Sequence, residues 1–189
     1  MLRLNFTPFP ELSTERLLLR QLIHDDEIEM MKLRSDDSVN KFIIRPKTIS
    51  REEVKKHIEK LNKGISNDEL IFWAITFKNL NKLIGTICLF NIDKEKSIGE
   101  IGFELFPENQ GIGLMNEALK KVLEYGLNVM KIKSFEGFAN INNVRSIKLM
   151  EKYNFKRADD MEKKESERDK EFKNMVIYRV SSDQLTIKN

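Results

Sequence analysis

Two glycines in the middle of the chain can do chemistry. Gly111 and Gly113 lie in Glu108-Asn109-Gln110-Gly111-Ile112-Gly113, just before a helical apolar pattern. Glycine lets a backbone turn tightly and brings its N–H groups close to a ligand. The helix that follows adds a positive dipole end of about half a charge. Together they suit phosphate or pyrophosphate. No Gly-Lys-Ser/Thr follows, so this is not a P-loop. The third glycine and the acidic residue of a dinucleotide fingerprint are also missing. On spacing alone, a tight turn with no ligand is the competing reading. Upstream, Glu100, Gly102 and Glu104 alternate with Ile101, Phe103 and Leu105. A period of two makes this a strand with one apolar face and two carboxylates on the other.

The rest of the composition narrows the class. A chain of 189 residues suits one domain over 1–189. Hydrophobic residues make up 40% of it, enough for a packed core, and eight Gly with four Pro exclude collagen-like or linker character. No apolar run approaches the roughly 20 residues that span a bilayer. Residues Met1 to Pro10 lack the apolar stretch of a secretory signal. One Cys allows no internal disulfide, and two His with one Cys argue against a zinc site, so no metal is expected. The 33 basic and 30 acidic residues are interleaved, and the net charge is +3. A nucleic-acid binder shows a basic stripe, so no nucleic-acid and no membrane partner is expected. A small cytoplasmic enzyme or binding domain remains.

The elements that must position these residues follow from periodicity. Arg16 to Leu22 reads as a first strand, and Asp25 or Asp26 as the cap of a helix over Glu27 to Arg34. Ser50 with Glu53 is a capping box for a helix to about Leu61. Ile71–Phe77, Leu83–Phe90 and Ile98–Leu105 read as an antiparallel meander that Pro107 ends. Met115, Ala118, Leu119, Val122, Leu123 and Leu127 mark a long helix. A strand from Ser134 to Ala139, a helix from Val144 to Tyr153 capped at Asn142-Asn143, a charged stretch from Asp159 to Glu171 and a strand from Phe172 to Val180 complete the chain. The order predicts a mixed α+β fold with one central βαβ unit.

Three blocks then carry a resemblance. Glu100 to Ala118 resembles motif A of the GNAT superfamily of N-acetyltransferases, whose pattern is Gln/Arg-x-x-Gly-x-Gly/Ala. Gln110 and Gly113 fill its first two fixed positions. Met115 stands where Gly or Ala is usual, a departure seen in the RimJ/RimL-like branch, the ribosomal-protein N-acetyltransferases. Asn143-Val144-Arg145-Ser146 and Leu149 to Phe155 resemble that branch's Asn-x-x-Ser…Leu-Leu-Glu-Lys-x-Gly-Phe, with Asn154 for the Gly. Thr14 to Arg20 resembles its opening strand. The resemblance spans nearly the whole chain, in order.

It implies a GNAT fold: a mostly antiparallel sheet of six or seven strands, splayed at the cofactor site, with about four helices. It implies acetyl-CoA as co-substrate. The amides of Gln110, Gly111, Ile112, Gly113, Leu114 and Met115 would hold the pyrophosphate. The pantetheine arm would bond backbone at Phe103 and Leu105, with Asn143 both capping its helix and touching the arm. Transfer in this family is direct, so Cys88 is core packing rather than a nucleophile. A base must free the amine of its proton. Glu100 is the first candidate and Glu104 the second, each with a solvated carboxylate as its bland alternative. Many relatives place a Tyr acid where this chain has Met150. Ser146 matches a residue placed near the thiol, with water or a plain first-turn serine as the alternative. Tyr153 reads as packing, His24 and His57 as surface, and Trp73 as core near the acceptor groove. The acceptor is a protein N-terminal α-amine by branch resemblance, or a small-molecule amine. A catalytically weak acyl-CoA-binding module is a different class, against which Glu100 argues. The acceptor pocket is expected from Ser35 to Lys47 and Lys164 to Lys170, and homodimers are common among such folds.

Overall fold

The computed structural model describes residues 1–46, 50–158 and 174–187. In chain order its elements are β1 (Leu12–Ser13), β2 (Leu17–Arg20), α1 (Glu27–Ser35), α2 (Asp37–Asn40), α3 (Arg51–Ser66), β3 (Ile71–Phe77), β4 (Leu80–Asp93), β5 (Ile98–Leu105), α4 (Leu114–Tyr125), β6 (Ser134–Asn140), α5 (Val144–Lys152), β7 (Lys156–Arg157) and β8 (Met175–Ser181). The strands form one sheet in the order β1-β2-β3-β4-β5-β6-β8-β7. All neighbours are antiparallel except β5 and β6. Among the described residues this gives eight strands and five α-helices, against the six or seven and four expected. The additions are the two-residue strands β1 and β7 and the one-turn helix α2. Asp36 stabilises α2 by accepting from the N–H groups of Ser38 and Val39. Such short pieces leave no periodic signal in a sequence. The expected charged stretch, Asp159 to Glu171, and the first residues of the last strand lie outside the described residues.

Strand alternation splits the sheet into two faces, each covered by helices. On one face Trp73, Ile75, Ile87, Leu89 and Ile101 pack against Leu114, Ala118, Leu119, Val122 and Leu123 of α4 and Met150 of α5. Trp73 is fully buried there. Its indole N–H donates to the Pro10 carbonyl at 2.8 Å, so it is core, on the α4 side of the sheet. On the other face Ala74 and Leu83 pack against Met30, Leu33, Val54, Ile58 and Leu61 of α1 and α3. The Ser50–Glu53 capping box forms as expected, and α3 runs on to Ser66. No helix among the described residues is long and apolar enough to cross a membrane.

The expected cap at Asp25 or Asp26 does not form. Asp26 accepts instead from the Ile23 N–H at 2.9 Å and from Arg20. All five guanidinium N–H groups of Arg20 are used. Nη1 and Nη2 grip the Asp26 carboxylate at 2.7 Å each, and Nη1 also reaches the Gln21 carbonyl at 2.9 Å. Nε and Nη2 bond the Asn81 side chain and carbonyl at 2.6 and 2.9 Å. Arg20 is 6% exposed and Asp26 3%. This knot fixes β2, the start of α1 and the beginning of β4 to one another.

A second polar cluster lies where α1, α3 and β5 meet. Arg34 Nη1 donates to His57 Nε2 at 3.2 Å. Arg45 donates through Nε to the Asn40 side chain at 2.8 Å and through Nη1 to Glu104 Oε1 at 3.1 Å. His57 is therefore half-buried rather than on the surface. Burial, with Arg34, Arg45 and Lys60 nearby, lowers its pKa to about 4. His24 remains at the surface beside Glu27.

Two outcomes follow for stability. Arg20→Lys leaves Asp26 and Asn81 short of donors that an ammonium cannot replace, so unfolding free energy should drop by about 3–5 kcal/mol in urea titrations. His57 refuses a proton that the unfolded chain takes at 6.5. Between that pH and about 4 the unfolded state binds more protons, so stability falls as pH falls. Urea midpoints of wild type should decline through this window more steeply than those of His57→Gln.

Candidate active site

The parallel pairing of β5 and β6 is short. It runs from Ile98↔Ser134 to Ile101↔Gly137 and stops. On their other edges β5 stays paired with β4 to Leu105, and β6 with β8 to Asn140. A wedge therefore opens between Gly102–Leu105 and the end of β6. The Phe106 N–H donates to Ile84 on β4 at 3.0 Å. Ladder alternation then turns the main-chain groups of Phe103 and Leu105 the other way, into the wedge. The Leu105 carbonyl is already taken, by Gln110 Nε2 at 2.9 Å. Phe103 keeps both groups and Leu105 its N–H for a ligand.

The glycine turn closes one end of the wedge. Gly111 and Gly113 have φ of +80° and +85°, where a side chain would be strained. A Cβ on Gly111 would meet nothing within 4 Å, so conformation rather than space demands the glycine. Among the described residues the N–H groups of Gly111, Ile112, Gly113, Leu114 and Met115 have no partner. Five free donors at a helix start fit a phosphate-bearing group. Gln110 departs from the expectation. Its N–H is spent on the Pro107 carbonyl at 3.1 Å, and its side chain is a bracket between Leu105 and Arg145.

Arg145 brings in α5. Its Nη1 donates to Gln110 Oε1 at 3.2 Å, which sets the first turn of α5 beside the glycine turn. Asn143 caps that turn by accepting the Ser146 N–H at 3.2 Å. The Ser146 hydroxyl has no partner among the described residues. Met150 faces the core, and a Cβ on Gly137 would lie 2.5 Å from its Sδ. The methionine thus rests on the β6 backbone, and a phenol there would overpack. Tyr153 donates to the Asn116 carbonyl at 2.9 Å, and burial lifts its pKa to about 12. Its proton stays on the ring oxygen and is engaged by Asn116, so the residue packs.

The two carboxylates of β5 have different surroundings. Glu100 sits one pair before the wedge, opposite Glu136. An irregularity of β4 between Phe90 and Asp93, with Asn91 left-handed at φ 46°, brings the Asn91 amide to Glu100 Oε2 at 2.9 Å. Burial and the Glu136 charge raise the Glu100 pKa above the usual carboxylate value, against the Asn91 bond. Glu136 is itself held by Arg179 at 2.7 Å. Glu104 is bound by Arg45 and by the Thr86 hydroxyl at 3.2 Å. Arg45 Nη2 and Glu104 Oε2 also touch at 2.7 Å, off the hydrogen-bond line. Glu104 is thus committed to an ion pair, whereas among the described residues no cation is paired with Glu100. On the same face the Cys88 thiol donates to the Gly102 carbonyl at 3.5 Å. Desolvation and the charges of Glu104 and Glu100 push its pKa up, so it stays protonated and is no nucleophile.

The structure thus gathers Phe103, Leu105, residues 110–115, Asn143 and Ser146 around one wedge, with Glu100 at its edge. Sequence reasoning did not single out Asn91, Arg145, Arg16 or the Arg34–His57–Arg45 cluster. Arg145 and Arg16 lay within the motif blocks, but only their contacts across the fold give them a place.

Comparison with known proteins bears on the fold and the family. The profile of the Acetyltransferase (GNAT) domain matches residues 16–156. The uncharacterized N-acetyltransferase YoaA of Bacillus subtilis is 28% identical over 149 residues, 79% of this chain and 84% of that protein. Among solved structures, RimL, a ribosomal L7/L12 α-N-protein acetyltransferase with coenzyme A, superposes with a TM-score of 0.79 at 19% identity, covering 93% and 99% of the two chains. The microcin C7 self-immunity acetyltransferase MccE, in complex with acetyl-CoA and AMP, gives 0.74 at 20% identity, covering 88% and 93%. The profile spans most of the chain, and the chain therefore belongs to the GNAT family as an acetyl-CoA-dependent N-acetyltransferase.

Proposed function

We propose that residues 1–189 form one catalytic domain that moves the acetyl group of acetyl-CoA directly to a primary amine, with Glu100 as the base. Glu100 carries this reading: it is a carboxylate with a raised pKa and no paired cation among the described residues, at the edge of the wedge. Acetyl-CoA supplies an activated acetyl thioester. The free N–H groups of residues 111–115 hold its phosphates, and Phe103 with the Leu105 N–H receives the arm as an added strand would be received. Glu100 Oε1 or Oε2 takes the amine proton, which an α-amine holds up to a pH of about 8. The Ser146 hydroxyl donates a hydrogen bond to the departing sulfur, whose proton comes from water or from the ammonium that the attacking amine becomes. Asn143 fixes the turn that carries Ser146.

A protein N-terminal α-amine is the favoured acceptor, supported by the three RimJ/RimL-like motif blocks and the overlay with RimL. A small amine bearing an anionic group is the second reading. The overlay with MccE, solved with AMP, supports it. The segment around Ser35 to Lys47 contributes Asn40 and Arg45 beside Glu104, while Lys164 to Lys170 lies outside the described residues. A thiol-release screen with N-terminal peptides and with phosphorylated and neutral small amines separates the two.

Glu100→Gln should keep acetyl-CoA affinity and lower kcat by roughly 10²–10⁴-fold at neutral pH. The deficit should shrink at high pH, where the amine is already neutral. The acid limb of the wild-type profile should lie above the 4.5 of an ordinary glutamate. Superimposable pH profiles for the two proteins would remove Glu100 from the reaction. Ser146→Ala should slow turnover by roughly 10–150-fold, the worth of one charge-assisted hydrogen bond of about 1.5–3 kcal/mol. Unchanged turnover under single-turnover conditions would remove Ser146 from the reaction.

A further inference from the structure

Glu117 poses a problem. It lies in the first turn of α4, beside the turn whose free N–H groups are read above as the phosphate site. A carboxylate there repels an anion. Its charge, however, is enclosed by donors from the bend between β1 and β2. Oε1 accepts from the Thr14 hydroxyl and from the Arg16 N–H at 2.8 Å, and Oε2 accepts from Arg16 Nε at 2.7 Å. Burial alone would raise the Glu117 pKa, and these bonds hold it below the usual value. Arg16 has more to give. Its Nη1 donates to the Ile112 carbonyl at 3.1 Å, inside the glycine turn. Among the described residues its Nη2 has no partner, and it would lie 3.5 Å from a Cβ on Gly113. The Arg16 side chain is 42% exposed, so a ligand in solution can reach it.

We propose that Arg16 is a cofactor-binding and positioning residue: it cancels the charge of Glu117, braces the turn at Ile112 and turns its remaining edge toward the phosphates of coenzyme A. The role rests on the reading of residues 111–115 as the phosphate site. Opposite charges held close attract strongly where one edge is desolvated, and the exposed edge makes the attraction sensitive to salt. Removing Arg16 does two things at once. It deletes a cation, and it leaves the charge of Glu117 beside the anion with only the Thr14 hydroxyl and the backbone N–H of residue 16 to offset it.

That coupling is the test. Calorimetry with coenzyme A on the full chain should show Arg16→Gln binding roughly 10–100-fold more weakly than wild type at low ionic strength. Glu117→Gln alone should stay within about 3-fold of wild type, and the double variant should bind more tightly than Arg16→Gln, because that charge is gone. The salt dependence of affinity should flatten in Arg16→Gln and persist in Arg16→Lys, which keeps the charge without the fork. Thermal melts confirm that each variant is folded. If Arg16→Gln and the double variant bind equally and the salt dependence is unchanged, Arg16 is only a brace and the proposal fails. Gly113→Asp separates the two readings. If it binds coenzyme A as wild type does, the phosphate-site reading falls and takes this role with it. If it binds weakly while Arg16→Gln binds normally, only the role of Arg16 falls.

Discussion

Backbone amides removed from water need partners, and the end of β5 breaks this rule on one side. After Ile101 its edge faces a wedge instead of β6. An unpaired strand edge invites another chain. Here it is short, deep in the sheet, and flanked by the glycine turn on one side and α5 on the other. Such an edge has the form that the extended, peptide-like arm proposed above requires. The glycine turn, the α4 dipole, the Gln110 bracket and the cap at Asn143 all take their positions from where that pairing stops.

Two glutamates four residues apart on one strand face show how surroundings assign roles. Glu104 lies under the helical layer, where Arg45 and Thr86 take up its oxygens. Glu100 lies where β4 is irregular, with one amide and a neighbouring carboxylate for company. The same residue type is a structural ion in one place and a group ready to accept a proton in the other. The lone cysteine between them is kept protonated by both charges, which suits a transfer without a covalent acyl-enzyme.

Much of this was legible in the residues. Alternation at Ile98–Leu105 and the 3.6 period after Gly113 located β5 and α4 closely, because both elements are half-buried and long enough for their period to be read. The glycines at 111 and 113 announced positive φ. Other features were hidden because they depend on contacts between distant segments. Asp25-Asp26 looks like a helix cap, yet Asp26 is drawn away by Arg20, and a bidentate guanidinium outcompetes two amides. His57 follows a lysine and looks solvated, yet α3 turns it toward Arg34. Asn91 reaches Glu100 only through an irregular stretch of β4. Gln110 fitted its motif position, but its amide is used up by a tight turn that only the structure reveals.

The Arg20 knot has a consequence for how this enzyme can change. It ties the helical layer to the sheet at one point, through β2, the start of α1 and Asn81. Insertions or deletions among those three places would break five hydrogen bonds at once. Among the described residues between α2 and α3 none takes part in the knot, and Arg45 is tied to the sheet through its ion pair with Glu104 of β5. That stretch supplies Arg45 to the face where an acceptor is expected. On the reading proposed above, acceptor preference and the anchoring of the helical layer lie in separate stretches of sequence, and Arg45 is the point at which a change of acceptor meets the sheet.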